Sequence, residues 1–300
     1  MIRVPAELAM IQSECNGETG RAWVASLPQV AADLLEDWSL TITGPSMHGA
    51  ASLVLPVRTS DGTPAVLKLG IVDDETESEP AALRLWNGDG AVRLLRSDPG
   101  AMLLERLSTR SLISLPDDTE ALRILTELLA RLVALPAPEG VRRLGDIARA
   151  MLDEVPAALR VLQDDEERRI VQTCATVVSD LVHEPGDRLL HWDLHYGNVL
   201  AAEREPWLAI DPKPLAGDPG FDLLPALHNR WDEVLATNDT GRAVRRRFDL
   251  MTEILGLDRQ RAAGWTYARV LQNVLWDVED DEPEMDDVQR AVAEALRPYL

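Results

Sequence analysis

Cysteine is nearly absent from this chain. The two in 300 residues, Cys15 and Cys174, make neither a CxxC pair nor a disulfide framework. That excludes a disulfide-stapled fold and fits a reducing cytoplasm. Long apolar runs are absent too. No stretch approaches the roughly 18 residues of a membrane span, and MIRVPAELAM lacks the basic-then-apolar order of a signal peptide. A cytoplasmic protein with no membrane partner is expected. Positive charge is scarce: 30 Lys and Arg face 51 Asp and Glu, for a net charge of -21. Such a surface repels phosphate backbones, so no nucleic-acid partner is expected, whereas a cationic small molecule would be attracted. The same acidity also serves solubility. Repeats and low-complexity linkers are missing, and a monomer is the expected state.

What is present points to a globular protein: hydrophobic residues make up 46%, too many for a disordered chain. The length suggests about two domains. The texture changes near residue 108. Before it, SLTITG (39–44), ASLVLPVR (51–58) and TPAVLKLG (63–70) read as strands, the last two joined by an Asp-Gly turn. ESEPAALRLWNGDG (77–90) reads as a short helix with Leu83 and Trp86 on one face. AVRLLRSD and AMLLERL flank a Pro-Gly turn as a further antiparallel pair. After residue 108 helical spacing dominates, from EALRILTELLARLVAL (120–135) through RAAGWTYARVLQNVLWDVE. Cys174 sits at that spacing among Ile170, Val171, Val177 and Val178, as a small core residue. Residues 189–211 are the exception and read as strand pieces with polar breaks. The expected order is a β-rich lobe with one helix, then a large helical lobe holding a short β-hairpin. A cleft between two such lobes is a common place for a ligand.

HWDLHYGNVL (191–200) carries the chemistry. His191, Asp193 and His195 alternate and would share one face of a strand, a possible zinc set. His48, His183 and His228 add neither an HExxH motif nor a second cluster. Read instead as H-x-D-L-x-x-x-N, the stretch matches the catalytic loop of phosphoryl-transfer kinases. Asp193 takes or orients the proton of an attacking hydroxyl, and Asn198 offers a neutral oxygen to magnesium. Asp211, ending the apolar run LAID, suits the second metal ligand. Lys68 in AVLKLG suits a lysine for the α- and β-phosphates of a nucleotide, and Glu79 on the following helix suits its carboxylate partner. Taken alone, Lys68 reads more readily as a solvated strand lysine; the other three parts of the set reverse that reading. GPSMHGAAS (44–52), ending at Ser52, has neither GxGxxG nor a Walker A sequence. It is either a small-residue loop over phosphates, with Ser52 in the nucleotide site, or a plain hairpin turn.

GDRLLHWDLHYGNVLAAEREPWLAIDPKPLAGDPGFDLLPAL closely resembles the streptomycin 6-kinases, within the aminoglycoside and hydroxyurea antibiotic-resistance kinases. GAASLVLPVRTSDGTPAVLKLG, LRLWNGDGAVRLL, MLLERL and RRRFDLMTEILGLDRQRAAGWTYARVLQNVLWDVED resemble other parts of that family. The resemblance implies an α+β, bilobal, protein-kinase-like fold, with a nucleotide-binding lobe over 1–107, a hinge near 103–108 and a helical lobe over 108–300. It implies ATP-dependent O-phosphorylation of streptomycin on its streptidine ring, with ATP and Mg2+ as cofactors. Asp193 matches the base, Asn198 and Asp211 the metal ligands, and Lys68 with Glu79 the ATP lysine and its partner. LLERL (103–107) matches the hinge, with adenine near Glu105 and Leu107. Two departures stand out. Trp192 occupies a position where many aminoglycoside kinases have glycine, and Pro-Lys rather than Phe-Gly follows Asp211.

Streptomycin carries guanidinium groups, so its site needs carboxylates. Asp218, Asp232 and Glu233 are the candidates, with Asp222 and Asn229 nearby. Asp222 also suits a role tying down the catalytic loop, and Asp218 one capping the following helix. The acidic run 277–287 either reaches the site or is a solvated helix end. Trp231 and Trp276 either stack on a sugar or guanidinium or belong to the core. Two alternatives are a kinase of the same fold for another small molecule, such as a sugar, another aminoglycoside or hydroxyurea, and a non-catalytic nucleotide-binding regulator. The intact set of Lys68, Asp193, Asn198 and Asp211 argues against the regulator.

Overall fold

The computed structural model describes residues 2–280 and 284–300. Two compact units divide the chain. The first runs to Ser108 and includes Ala202–Arg204; the second holds Thr109–Ala201 and Glu205–Leu300.

No element before residue 39 was expected from sequence. The structure has a 32-residue helix there, α1 (Ala6–Asp37), broken at Gly17, where φ is 53° and ψ -126°. Its buried apolar positions are few, and Gly17, Gly20 and Pro28 interrupt them, so the helical period is blurred in the sequence. Packing holds the helix instead. Leu8, Leu27 and Ala31 join Leu53, Leu55, Leu67, Leu69 and Leu103 in one apolar cluster.

That cluster covers one face of an antiparallel sheet. Its strands are β1 (Thr41–Ile42), β2 (Met47–His48), β3 (Ser52–Arg58), β4 (Pro64–Gly70), β5 (Leu94–Asp98) and β6 (Ala101–Glu105), in the order β1-β3-β4-β6-β5 with β2 also paired to β3. The β3–β4 turn is closed by Asp61, whose carboxylate accepts the Thr63 amide at 3.0 Å, and by Gly62 at φ 92°. Alternation then decides where Lys68 goes. Ala65, Leu67 and Leu69 of β4 are buried in the cluster, so Lys68 emerges on the opposite face, between Val54 of β3 and Met102 of β6. Helix α2 (Glu79–Trp86) buries Ala82, Leu83 and Trp86. It ends at Asn87, in the left-handed conformation, where the Gly-rich stretch NGDG begins.

The second unit is mainly helical: α3 (Asp118–Leu132), α4 (Leu144–Val161), α5 (Asp165–Leu181), α6 (Leu224–His228), α7 (Trp231–Ala236), α8 (Thr240–Leu255), α9 (Arg259–Glu279) and α10 (Asp287–Leu296). Its strands β7 (Arg188–Leu190), β8 (Val199–Ala201), β9 (Trp207–Ala209) and β10 (Leu215–Gly217) form two antiparallel pairs, β7 with β10 and β8 with β9. The β7–β10 pair closes beyond residue 211, because Leu215 aligns with Leu190 across the intervening loop. Helix α9 packs closely on α5 at Gly264, where a Cβ would lie 2.7 Å from Leu181 and 2.9 Å from Val177. Cys174 is buried and its thiol pKa is pushed up by burial, which leaves it an inert packing residue. Among the described residues, no helix is long and apolar enough to cross a membrane.

One polar network spans this core. The Arg247 guanidinium, buried on α8, donates to Asp118 at 3.0 Å and to the carbonyls of Leu227 and Asn229 at 3.2 and 2.8 Å. Arg247→Leu strips donors from those carbonyls and a partner from Asp118, and is expected to cost about 3 kcal/mol in urea unfolding. A loss below about 1 kcal/mol would mean that water satisfies these groups in its place.

Candidate active site

The loop 191–198 lies between β7 and β8, and one buried side chain holds its shape. Asp222 accepts the His191 amide at 2.8 Å through Oδ2 and the Trp192 amide at 2.6 Å through Oδ1. This is the tie-down expected of it. Burial raises its pKa to about 7, opposed by those two amides and by nearby Arg269. His191 is fully buried, and burial lowers its pKa to about 3. It is therefore neutral near pH 7, and its Nε2–H donates to the Ile210 carbonyl at 3.0 Å. A ring nitrogen used in this way does not bind zinc. Among the described residues, no group of three or more His, Cys, Asp and Glu is arranged to hold a metal ion.

Trp192 adopts a left-handed backbone with φ 64°. Such a conformation costs a non-glycine residue on the order of 1 kcal/mol or more. Burial of the indole offsets that cost. Arg142 and Arg269 lie 4.6 and 5.2 Å from its ring centroid, and Trp276 lies 6.2 Å away. Nothing in the local sequence marked Arg142 or Arg269 as supports for the loop.

Asp193 follows, half-buried. The Asn198 amide nitrogen donates to the Asp193 carbonyl at 2.9 Å and approaches its carboxylate at 3.4 Å. That contact orients the Asn198 side chain and ties the loop's two functional ends together. Strand pairing does the rest: Val199 aligns with Ala209, and the Ile210 amide donates to the Asn198 carbonyl at 2.9 Å. Asp211 is thereby fixed just past the end of β9, at φ 54°. An amide oxygen from Asn198 and a carboxylate from Asp211 are the oxygen donors a small hard cation such as magnesium takes.

In the first unit, Lys68 Nζ donates to both carboxylate oxygens of Glu79, at 2.8 and 2.9 Å, with both side chains largely buried. Ser52 opens β3, buried, and its carbonyl accepts the Gly49 amide at 3.0 Å. The segment 44–52 thus forms a short hairpin through β2. Glu105 ends β6, and its carboxylate is bound by Arg204, a residue that sequence reasoning did not single out. Leu107 is half-buried two residues further on.

The acceptor carboxylates divide by environment. Both Asp218 oxygens are engaged, Oδ1 by the Gly220 amide at 2.8 Å and Oδ2 by Arg261 at 2.7 Å. It therefore caps the turn after β10. Glu233 pairs with Arg230, whose guanidinium also stacks over Tyr196. Asp232 is exposed on α7. A cavity of about 450 Å³ in this unit is lined by Asp118, Glu233, Arg242 and Arg246 among others, and by none of Asp193, Asn198 or Asp211. Trp276 is exposed rather than core, and Trp231 is half-buried. Residues 281–283 of the acidic run lie outside the described residues.

A sheet lysine held by a helix glutamate, and an HxDLxxxN loop followed by a strand-end aspartate, define a protein-kinase-like phosphotransferase. Among solved structures, a thermostable mutant of the aminoglycoside phosphotransferase APH(4)-Ia, in ternary complex with AMP-PNP and hygromycin B, shares this fold at a TM-score of 0.60. It is 17% identical and covers 90% of this chain and 98% of its own. Residues 37–281 match the family described as aminoglycoside/hydroxyurea antibiotic resistance kinase, and the chain belongs to that family. The streptomycin 6-kinase of Streptomyces glaucescens is 58% identical, across 100% of this chain and 98% of its own. The hydroxyurea phosphotransferase of Kitasatospora aureofaciens is 51% identical, across 99% and 86% respectively.

Asp222→Asn leaves one oxygen where two amides need acceptors. Turnover is expected to fall roughly 10–100-fold, as when other groups that orient a site from behind are lost. The folded pKa of Asp222 lies above the ordinary value of 3.8, so the stability it lends is full below about pH 4 and is lost as pH rises through about 7. Wild-type stability relative to the variant should therefore decline across that window. Parallel stability curves would show that Asp222 stays ionised throughout.

Proposed function

We propose that this chain transfers the γ-phosphoryl group of ATP to the 6-hydroxyl of streptomycin's streptidine ring and thereby inactivates the antibiotic. The observation that carries the reading is the 58% identity, end to end, with the streptomycin 6-kinase of Streptomyces glaucescens. In this reading Asp193 receives the proton of the attacking hydroxyl as its oxygen bonds to the γ-phosphorus, and ADP leaves. Lys68, fixed by Glu79, takes the α- and β-phosphates. Ser52 and the hairpin before it cover them, and the backbone near Glu105 and Leu107 receives the adenine. Asn198 and Asp211 would hold magnesium, which when bound neutralises charge on the phosphates. Asp232 and Glu233, whose Oε2 is left without a hydrogen-bond partner among the described residues by its pairing with Arg230, are assigned to the acceptor's guanidinium groups; Asp218, with both oxygens engaged, is not. In the same reading ATP dependence fits a cytoplasmic reaction, and the chain acts as a monomer.

The 51% identity to a hydroxyurea phosphotransferase favours hydroxyurea as the second reading. Charge discriminates between them. A surface of net charge -21 attracts a cation and is indifferent to neutral hydroxyurea. Attraction of that kind is screened within about 10 Å at 0.1 M salt, so apparent affinity for streptomycin should fall as salt is added. The direct test is ATP consumption across a panel of streptomycin, other aminoglycosides and hydroxyurea, with the product assigned by mass and NMR. Preferred turnover of a neutral acceptor, or phosphate outside the streptidine ring, would refute the assignment.

Asp193→Ala is expected to lower turnover by about 10²–10⁴ while sparing the fold and ATP binding. Steady-state kinetics with circular dichroism checks this. A rate within about tenfold of wild type would remove Asp193 from the role of base.

A further inference from the structure

Residues 202–204 belong to the first unit, and Arg204 uses its guanidinium there completely. Nε donates to both Glu105 oxygens, at 3.1 and 3.0 Å. Nη2 donates to Glu105 Oε1 at 2.7 Å and to the Ala91 carbonyl at 2.8 Å, and Nη1 donates to the Gly88 carbonyl at 2.7 Å. Glu105 also accepts the Arg93 amide at 2.8 Å, and its own amide donates to the Arg93 carbonyl at 3.0 Å. Both side chains are about four-fifths buried (20% and 19% exposed), so this is more than a solvated surface pair. The fork fixes three stretches at once: the turn after α2, the approach to β5 and the end of β6. Immediately beyond the clamp, the Leu107 amide has no protein acceptor among the described residues.

We infer that Arg204 is a positioning residue for the nucleotide site: by clamping the Glu105 carboxylate it holds the backbone through Leu107 ready to donate to a purine ring. The inference rests on the kinase reading above and gives Glu105 a specific part in it. Its carboxylate serves the clamp, and only its neighbouring backbone serves the nucleotide. An arginine suits this place because its planar fork binds a carboxylate bidentately and still reaches two carbonyls; a lysine offers a point charge without the fork. Nucleotide affinity gains from the clamp because a segment already ordered loses less freedom on binding.

The test is calorimetric titration of the intact protein with ADP, alongside steady-state kinetics with the preferred acceptor of the panel. For Arg204→Ala we expect ADP affinity to weaken roughly tenfold and the KM for ATP to rise in step, the scale of losing preorganisation at one site. kcat at saturating ATP and the KM for the acceptor should stay within about twofold, since the clamp orders the ground-state backbone and touches no reacting group. Arg204→Lys, a milder change, should show the same pattern and guards against misfolding of the alanine variant. ADP affinity unchanged in both single variants, with only the melting temperature lowered, would overturn the clamp and leave the kinase reading intact. A wild-type protein that fails to bind ADP would overturn both.

Discussion

Two amides and one carboxylate hold the catalytic loop. Asp222, fully buried, accepts from consecutive residues, His191 and Trp192, and so helps to keep a tryptophan at φ 64° next to Asp193. Backbone hydrogen bonds to a buried charge are strong and geometrically demanding. Their cost is the desolvation of a carboxylate, visible in its raised pKa. Arg269 offsets part of that cost, and the same guanidinium lies over the Trp192 ring. A single cation thus supports both the anchor and the residue that the anchor strains. His191 adds the last constraint. Its neutral ring bonds the Ile210 carbonyl, one residue before Asp211, so the loop bearing Asp193 and the strand end bearing Asp211 are fixed to each other.

Arginine has an unusual part in so acidic a protein. The surplus of carboxylates gives the chain its net charge of -21, yet Arg247 and Arg269 are buried and Arg142, Arg204 and Arg230 are half-buried. Each uses a flat, many-donor head to satisfy carbonyls, hold a carboxylate or stack on an aromatic ring. Lysine, with a smaller and more strongly hydrated head, is rarely placed this way. Lys68 is half-buried too, and there a single charge is held by one carboxylate, Glu79.

Where spacing along the chain set the outcome, the sequence was readable. The H-x-D-L-x-x-x-N interval brings Asn198 back onto Asp193 because one tight loop spans it, and the alternation of β4 puts Lys68 opposite the apolar face whatever the rest of the chain does. The Asp-Gly and Pro-Gly turns placed their hairpins for the same reason. α1 was not readable, because its scattered apolar residues acquire meaning only when a sheet lies beneath them. The engagement of Asp218 was not readable either, since Arg261, its partner, stands far along the chain. The position of Trp276 also depends on what packs around it.

By itself the sequence determined the class of chemistry, the candidate residues for it and the strand–loop–strand frame that carries them, because these depend on chain geometry over a few residues. Only the tertiary structure decided which carboxylates are committed to arginines, how a tryptophan is tolerated in a left-handed turn, and that Arg204 clamps Glu105. Those outcomes depend on pairings between residues distant in sequence, where burial makes each partner's presence or absence worth several kcal/mol and local spacing carries no trace of them.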